Sequence, residues 1–432
     1  MAEKFDVIVV GAGPSGMAAA YLLAKAGLNT IVIERGDYPG SKNVMGGVLY
    51  RYPTEEIIPG FWKEAPLERP VVEQRMWLLE QDSVVSLGYK SKVLGQEPYN
   101  SFTVLRAKFD RWFAQQGVEA GALLITETVV EDVLVEKGRV IGVRTGRDEG
   151  EVLADVVILA EGVNSILTQK LGLQKDGLST REVAVAVKEI IALPKEKIED
   201  RFNLEPGEGA TIELYGAATQ GMVGSGFIYT NKDSLSVGVG ALLVDVVKKK
   251  ITPNELLEQM KRHPAVRPLL EGGEIKEYMG HLIPEGGYRS IPRLYMDGLL
   301  VVGDAAMLVN GIHREGSNMA MMSGKFAAET VIEAKEKGDF SAQFFSRYQK
   351  KLADSFILKD LKKYENASLF FENNPHLFTL YPRFLNYIAH ELTIVDNMPK
   401  KEKQRKIWQH ITEQRGKWQI IRDLYRGWRV LG

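Results

Sequence analysis

The chain has 432 residues, 45 % of them hydrophobic and 26 % charged, with 55 Lys and Arg against 56 Asp and Glu for a formal net charge of −1. That length allows two or three domains around a sizeable core, and the charge balance gives no electrostatic ground for binding nucleic acid. There is no cysteine, which excludes disulfides, thiolate metal sites, dithiol reductase chemistry and iron–sulfur clusters ligated by this sequence.

The start, MAEKFDVIVV, is an apolar run too short for a secretory leader and leads straight into a glycine turn; no run of about eighteen apolar residues suited to crossing a bilayer occurs. Phe5 to Val10 has the β-branched pattern of a buried parallel strand, and Pro14 to Ala26 carries small and aliphatic residues at helical spacing. Between them Gly11, Gly13 and Gly16 hold the G-x-G-x-x-G positions. The first permits a tight turn, the second lets a pyrophosphate approach the backbone, and the third lets helix pack on strand. Pro14 costs no hydrogen bond at a helix start, and with Ser15 it completes the expected phosphate-facing turn. Leu28 to Ile33 reads as a second strand, closed by Glu34 about twenty residues after the glycines, where an acid binds ribose hydroxyls and disfavours a 2′-phosphate. NAD enzymes, flavin enzymes and proteins that hold a nucleotide without using it all carry such a turn.

Farther along, VVILAEGVNSIL (156–167) is another strand with Glu161 and Gly162 at its end. Residues 176–284 contain alternating or β-branched runs between glycines, expected to form an antiparallel sheet. In GLLVVGDAAMLVNG (298–311) a short strand ends at Gly303 and Asp304, at the strand end where open α/β sheets bind ligands, although an Asp there also serves as a helix cap. The nucleotide domain is therefore interrupted in sequence. Two stretches, 45–79 and 377–395, hold aromatics able to face a lipid-soluble molecule. The second has Leu377, Tyr381, Phe384, Ile388 and Val395 near helical spacing, Pro382 as a break or helix start, and then the basic residues Lys400, Lys401, Lys403, Arg405 and Lys406. This pairing suits interfacial attachment to anionic lipid or docking of an acidic partner; a core helix followed by a solvated one is the plainer reading.

The N-terminal GAGPSG with Glu34 and Arg35, the AEG at 160–162 and the GDAA at 303–306 together resemble the FAD-dependent oxidoreductases built like p-hydroxybenzoate hydroxylase and geranylgeranyl reductase. The longer stretches ERGDYPGSKNVMGG, LRAKFDRW, HLIPEGGYRSIPRLYMDGLLVVGDAAMLVN, HREGSNMAMMSGKFAAET and DSFILKDLKKY are similar to electron-transfer-flavoprotein:quinone oxidoreductases, in particular their short FixC type, from residue 1 to about residue 385.

The resemblance implies an α/β fold: a discontinuous Rossmann-like FAD-binding domain (1–175 and 285–335), an inserted antiparallel sheet domain for substrate or quinone (176–284), and a C-terminal helical region (336–432). It implies non-covalent FAD, with Gly11, Gly13 and Gly16 at the pyrophosphate, Glu34 at the adenosine ribose and Arg35 on the adenine side. Arg106 would reach the cofactor, Gly303 and Asp304 the ribityl or pyrophosphate region, and Glu161 and Gly162 would border it. Gly316, Ser317 and Asn318 would face the flavin pyrimidine edge, with Lys42, Gly46 and Gly47 near the isoalloxazine ring. His313 lies beside the presumed flavin edge and is the one candidate for proton chemistry, though packing is its plainer role. The long members of the family carry a cysteine-ligated 4Fe–4S cluster. With no thiolate here, the resemblance implies a separate ferredoxin-like FixX subunit for it, an electron transfer flavoprotein as donor, a quinone as acceptor, and a peripheral place on the cytoplasmic face of the cell membrane. A prenyl reductase delivering hydride to an isoprenoid alkene shares these motifs; a monooxygenase and an assembly subunit with a structural FAD fit them less well.

Overall fold

In a computed structural model of the chain, residues 4–41, 47–174 and 177–432 are described. They form two compact units: Met1–Pro70, Leu94–Ala184 and Met279–Glu365 make the first, and Val71–Val93, Val185–Tyr278 and Asn366–Gly432 the second.

The first unit is built on a sheet whose strands run in the order Tyr295–Met296, Leu299–Val301, Glu151–Leu159, Lys4–Val10, Thr30–Ile33, Leu123–Ile125. All neighbours from Leu299–Val301 onward pair in parallel. Such strands are covered on both faces, which explains their unbroken Val and Ile runs. The helix Pro14–Lys25 packs over the sheet on one side and against the helix Ser317–Lys337 on the other, with Ala18, Ala19 and Ala20 all fully buried. The helix Ser317–Lys337 reaches it at Gly324, where a Cβ would stand 2.1 Å from the carbonyl oxygen of Ser15. From Lys4–Val10 the chain first builds the sheet on one side and later, with Glu151–Leu159, on the other; that reversal leaves a crevice at the C-terminal ends of the two strands.

The second unit is built on a seven-stranded sheet in the order Glu274–Pro284, Val183–Ala192, Ser234–Leu242, Gly224–Thr230, Gly209–Gly216, Val71–Leu79, Val84–Lys90. One face buries Ile212, Leu214, Val237 and Val239 together with Leu256, Leu257 and Met260 of the helix Pro253–Arg262. The strands Gly209–Gly216, Gly224–Thr230 and Ser234–Leu242 pair antiparallel as expected for 176–284, but the sheet extends beyond those bounds. Gly209–Gly216 pairs in parallel with Val71–Leu79, a strand from far earlier in the chain, whose Val72, Trp77 and Leu79 are buried in the same core. Trp77 and Leu79 thus face protein, and so does Phe61, which is buried in the first unit.

The expected C-terminal region 336–432 is also divided. The helix Ala342–Asp354 belongs to the first unit, where Phe345, Tyr348 and Leu352 are fully buried and the Tyr348 hydroxyl donates to Val301 O at 3.0 Å. The helices Ala367–Asn373, His376–Thr393, Lys400–Gln414 and Lys417–Leu431 belong to the second. His376–Thr393 runs through Pro382, which is buried beside Gly216; a Cβ on that glycine would stand 3.1 Å from Pro382 Cβ. Three of the five stripe residues expected to meet lipid turn instead onto the next helix: Phe384 packs with Ile407 and Ile411, and Tyr381 and Ile388 close around them together with Leu380, whereas Val395 is exposed. Two of the five basic residues that follow are used within the chain. Lys403, only 1 % exposed, donates to Ile394 O at 2.7 Å and pairs with Asp396 at 3.0 Å; Lys406 pairs with Glu391 at 3.0 Å. No described helix is long and apolar enough to cross a membrane.

Candidate cofactor site

The crevice of the first unit begins at the glycine turn. Gly11 has φ +104°, its N–H donates to Ile33 O at 2.9 Å, and a Cβ there would stand 2.3 Å from Ala160 O. A Cβ on Gly16 would stand 2.0 Å from Gly11 O and 3.1 Å from Ala160 Cβ. Packing within the protein therefore demands both glycines. Gly13 is different: its φ of −74° suits any residue, and a Cβ would meet nothing within 4 Å. The helix Pro14–Lys25 starts at Gly13 without a side-chain acceptor, so its leading N–H groups are left for an anion. Ser15 is buried, and a Cβ on Gly303, at φ +64°, would lie 2.5 Å from Ser15 Oγ; Gly303 N–H donates to Ser323 Oγ at 2.9 Å. The first and the late motif thus meet.

Glu34 joins both sides of the turn. Its carboxylate accepts from Ala12 N–H at 2.8 Å and from Gly36 N–H at 2.7 Å, and each oxygen keeps a further lone pair for a ribose hydroxyl. The loop that follows rests on the start of the helix Arg106–Glu119: a Cβ on Gly40 would stand 2.9 Å from both Arg106 O and Asp110 Cβ. Arg106 is buried and held bidentately by Asp110, with both N···O distances 2.8 Å. Burial lifts the Asp304 carboxyl to about 6, with the Arg106 cation pulling it down. Arg35 is exposed; burial and the cations Arg35 and Arg106 push His281 below its ordinary value. Gly47 is buried and its carbonyl accepts from Val104 N–H at 2.9 Å, two residues before Arg106. Lys42 and Gly46 lie outside the described residues.

Glu161 has work inside the chain. Its oxygens accept from Leu167 N–H at 2.9 Å, Thr168 N–H at 2.8 Å and Thr168 Oγ1 at 2.8 Å, capping the helix Ile166–Lys170, while Gly162, at φ +76°, makes the turn between.

A second uncapped helix start in the same unit is that of Ser317–Lys337. Gly316 stands at its N-cap with no side-chain acceptor, and Ser317 opens the helix. Among the described residues, the buried atoms Asn318 Oδ1 and Asn310 Nδ2 have no hydrogen-bond partner. Buried polar atoms without partners are rare in folded proteins and call for an explanation. His313 is exposed and its Nε2 lies 2.8 Å from the Tyr364 hydroxyl, joining the stretches HREGSN and DSFILKDLKKY. Two groups were not singled out by motif reading. Glu285, inside HLIPEGG, is lifted to about 7 by burial, and a Cβ on Gly311 would stand 2.1 Å from its Oε2. Tyr50 is pushed up by burial and by Glu315, with Arg314 opposing. Only the quoted HLIPEGG run could have pointed to Glu285; nothing local marks Tyr50.

Two helix starts without caps, open space at Gly13, and buried donor and acceptor atoms without partners are features a dinucleotide fits: phosphates at one helix, a polar ring edge at the other.

Two family models match the chain, "FAD dependent oxidoreductase" over residues 6–163 and "ETF-QO/FixC family C-terminal domain" over residues 367–432. Among curated proteins it is 49 % identical over 432 residues to Protein FixC of Azotobacter vinelandii, covering 100 % of both chains. It is 41 % identical over 410 residues to the probable electron transfer flavoprotein-quinone oxidoreductase YdiS of Escherichia coli, covering 94 % of this chain and 95 % of that one. Among solved structures, a geranylgeranyl bacteriochlorophyll reductase-like protein of Thermoplasma acidophilum superposes with TM-score 0.73 at 22 % identity, covering 96 % of this chain and 99 % of that one. Halogenase PltM in complex with phloroglucinol and FAD superposes with TM-score 0.64 at 15 % identity, covering 96 % and 84 %. These likenesses in structure are likenesses of fold.

Proposed function

The chain belongs to the ETF-QO/FixC family of FAD-dependent oxidoreductases, and from that premise we propose that it passes electrons from an electron transfer flavoprotein to a membrane quinone. The observation that carries this reading is similarity along nearly the full length, at 41 % identity, to a protein named a probable electron transfer flavoprotein-quinone oxidoreductase, beside 49 % identity to a Protein FixC. Bound FAD would supply the carrier for electrons arriving and leaving in different steps.

The chain's own residues have these roles in the proposal. The N–H groups after Gly13 hold the pyrophosphate, Glu34 takes the adenosine ribose while tying the turn, and Arg35 lies on the adenine side. Arg106, fixed by Asp110, lends positive potential next to Asp304. The N–H groups that open Ser317–Lys337, with Asn318 and Asn310, face the polar edge of the ring, where positive potential from a helix start favours the negative charge of the reduced state. Glu161 supports the crevice from outside as a cap. His313 has no assigned step.

With no cysteine in the chain, a 4Fe–4S cluster in the path belongs to a separate ferredoxin-like FixX subunit, and the complex sits peripherally on the inner face of the cell membrane. The test is quinone reduction by reduced electron transfer flavoprotein, with and without the ferredoxin-like subunit, on protein whose FAD has been confirmed by absorbance. Turnover that needs this chain is expected. Reduced protein that is inert towards quinone, yet is reoxidised by an unsaturated isoprenoid, would move the chain to the prenyl reductases and sink the proposal.

A further inference from the structure

The last helix, Lys417–Leu431, turns its apolar face outward. Trp418, Ile421, Leu424, Tyr425, Trp428 and Leu431 are all exposed, Trp418 at 82 %, Leu424 at 63 % and Trp428 at 71 %. At about 100° per residue these six share one arc of about 140°. Ile420, Asp423, Gly427 and Val430 fall on the other side and are the less exposed residues; Ile420 packs on the Phe384, Ile407 and Ile411 cluster. An amphipathic helix of a water-soluble surface is oriented the other way.

The orientation is fixed by a buried polar knot. Asp423 accepts from Arg415 Nε and Nη2, each at 2.8 Å, and from the Tyr381 hydroxyl at 3.0 Å, while His376 Nε2 lies 3.0 Å away. Burial opposes ionisation of Asp423, but the bonds from Arg415 and Tyr381 prevail and hold its carboxyl below the usual range. A helix anchored by its one carboxylate has no freedom to roll its tryptophans inward.

Charge selects the occupant. Arg422, Arg426 and Arg429 line one border of the apolar arc and Lys417 opens the helix; none of the four has an ion-pair partner among the described residues, and the only acid from 416 to 432 is the buried Asp423. A second copy of the chain on this face would set these cations against their own kind. A surface of anionic headgroups over hydrocarbon satisfies both halves: arginines in the headgroups, Trp, Tyr, Ile and Leu at the acyl boundary. At about 1.5 Å per residue the helix is too short to span, so it would lie in the plane. We propose that Lys417–Leu431 is the element that seats this chain on anionic lipid. This rests on the membrane-surface reading above and assigns it to one helix, in place of 377–395.

The test floats FAD-loaded full-length protein with phosphatidylcholine vesicles, with and without about a third phosphatidylglycerol. The wild type is expected to float with anionic vesicles only. The combined variant Trp418→Ser, Leu424→Ser, Trp428→Ser is expected to lose about tenfold in partitioning with circular dichroism and flavin absorbance unchanged. Arg422→Glu with Arg426→Glu is expected to abolish the preference for anionic lipid, while Leu87→Ser with Tyr89→Ser, exposed elsewhere in the second unit, has no effect. If the wild type floats and the serine variant floats equally well, this assignment is wrong and the membrane reading survives. A wild type that ignores anionic vesicles removes both. Serine substitutions that instead dissociate a dimer, or release the ferredoxin-like subunit, make the face a protein interface and also overturn the proposal.

Discussion

Gly13→Ala separates binding from folding, because the three glycines of the turn are constrained by different things. Gly13 has an ordinary backbone conformation and nothing within 4 Å of the place a Cβ would take. The substitution costs the fold about 1 kcal/mol, because alanine is a poorer N-cap than glycine, or roughly 3 °C in melting temperature. In Gly11→Ala a methyl must hold φ at +104° and relieve a 2.3 Å approach to Ala160 O. The positive φ alone costs about 1–2 kcal/mol, and shifting a buried strand-end carbonyl raises the total to about 4 kcal/mol, on the order of 10 °C. For FAD the order reverses in kind: if the pyrophosphate meets the backbone at Gly13 as proposed, the Gly13→Ala methyl takes that space and affinity should fall about a hundredfold, roughly 3 kcal/mol. The assay is thermal unfolding of flavin-stripped protein beside a flavin-quenching titration of the same samples. Gly13→Ala protein that binds FAD within about twofold of wild type would refute the placement of the pyrophosphate at this helix start. An unchanged melting temperature for Gly11→Ala would refute the packing argument.

Further tests follow from the charged groups. Asp304 and Glu285 hold their protons up to about 6 and about 7 because burial disfavours their charge. The folded state therefore binds these protons more tightly than the unfolded chain, and the resulting stability is complete below about pH 4 and lost as pH rises through 6 and 7. Asp304→Asn and Glu285→Gln should raise the melting temperature of flavin-stripped protein at pH 8 but not at pH 4; equal shifts at both values would contradict this. Glu161→Ala should cost about 2 kcal/mol by stripping the cap from Ile166–Lys170, seen as a lower melting temperature at unchanged FAD affinity; a selective loss of FAD affinity would make Glu161 a direct ligand. Asp423→Ala leaves the half-buried Arg415 without its carboxylate partner, at a cost of about 3 kcal/mol borne by local opening of the last helix. Proteolysis after residue 415 should accelerate while the main melting transition stays put, and unaltered cleavage would deny the knot its role.

The nucleotide-binding part was legible because its constraints are local: a central parallel strand is a continuous apolar run, and a glycine that must take a positive φ or admit a neighbouring carbonyl leaves its mark at one position. The place of Val71–Leu79 was not legible. Its partner strand Gly209–Gly216 lies far away in sequence, and no residue of either names the other. Lys403 shows a second limit. In sequence it belongs to a basic run, yet its ammonium is spent on Ile394 O and Asp396, a contact that depends on how two helices are joined. The helix Lys417–Leu431 shows a third: periodicity reports that one face is apolar, not whether that face is inside, and only Asp423 and its partners decide the matter. In the crevice, the glycines and acids could be read from the motif, whereas Tyr50 and Glu285 acquire their character from burial, which no spacing encodes.

Glu34 ties Ala12 to Gly36 with the same carboxylate to which the proposed function gives the adenosine ribose. Recognition and architecture are thereby written on one side chain, and they can change only together. Replacing it by a smaller or basic residue to admit a phosphorylated ribose would also strip two backbone N–H groups of their acceptor and loosen the loop on which Gly40 meets Arg106. A lineage drifting towards another dinucleotide would first have to acquire a substitute acceptor for those amides, so the viable mutational routes away from this cofactor are indirect, and a designer attempting the exchange should rebuild the turn before altering the acid.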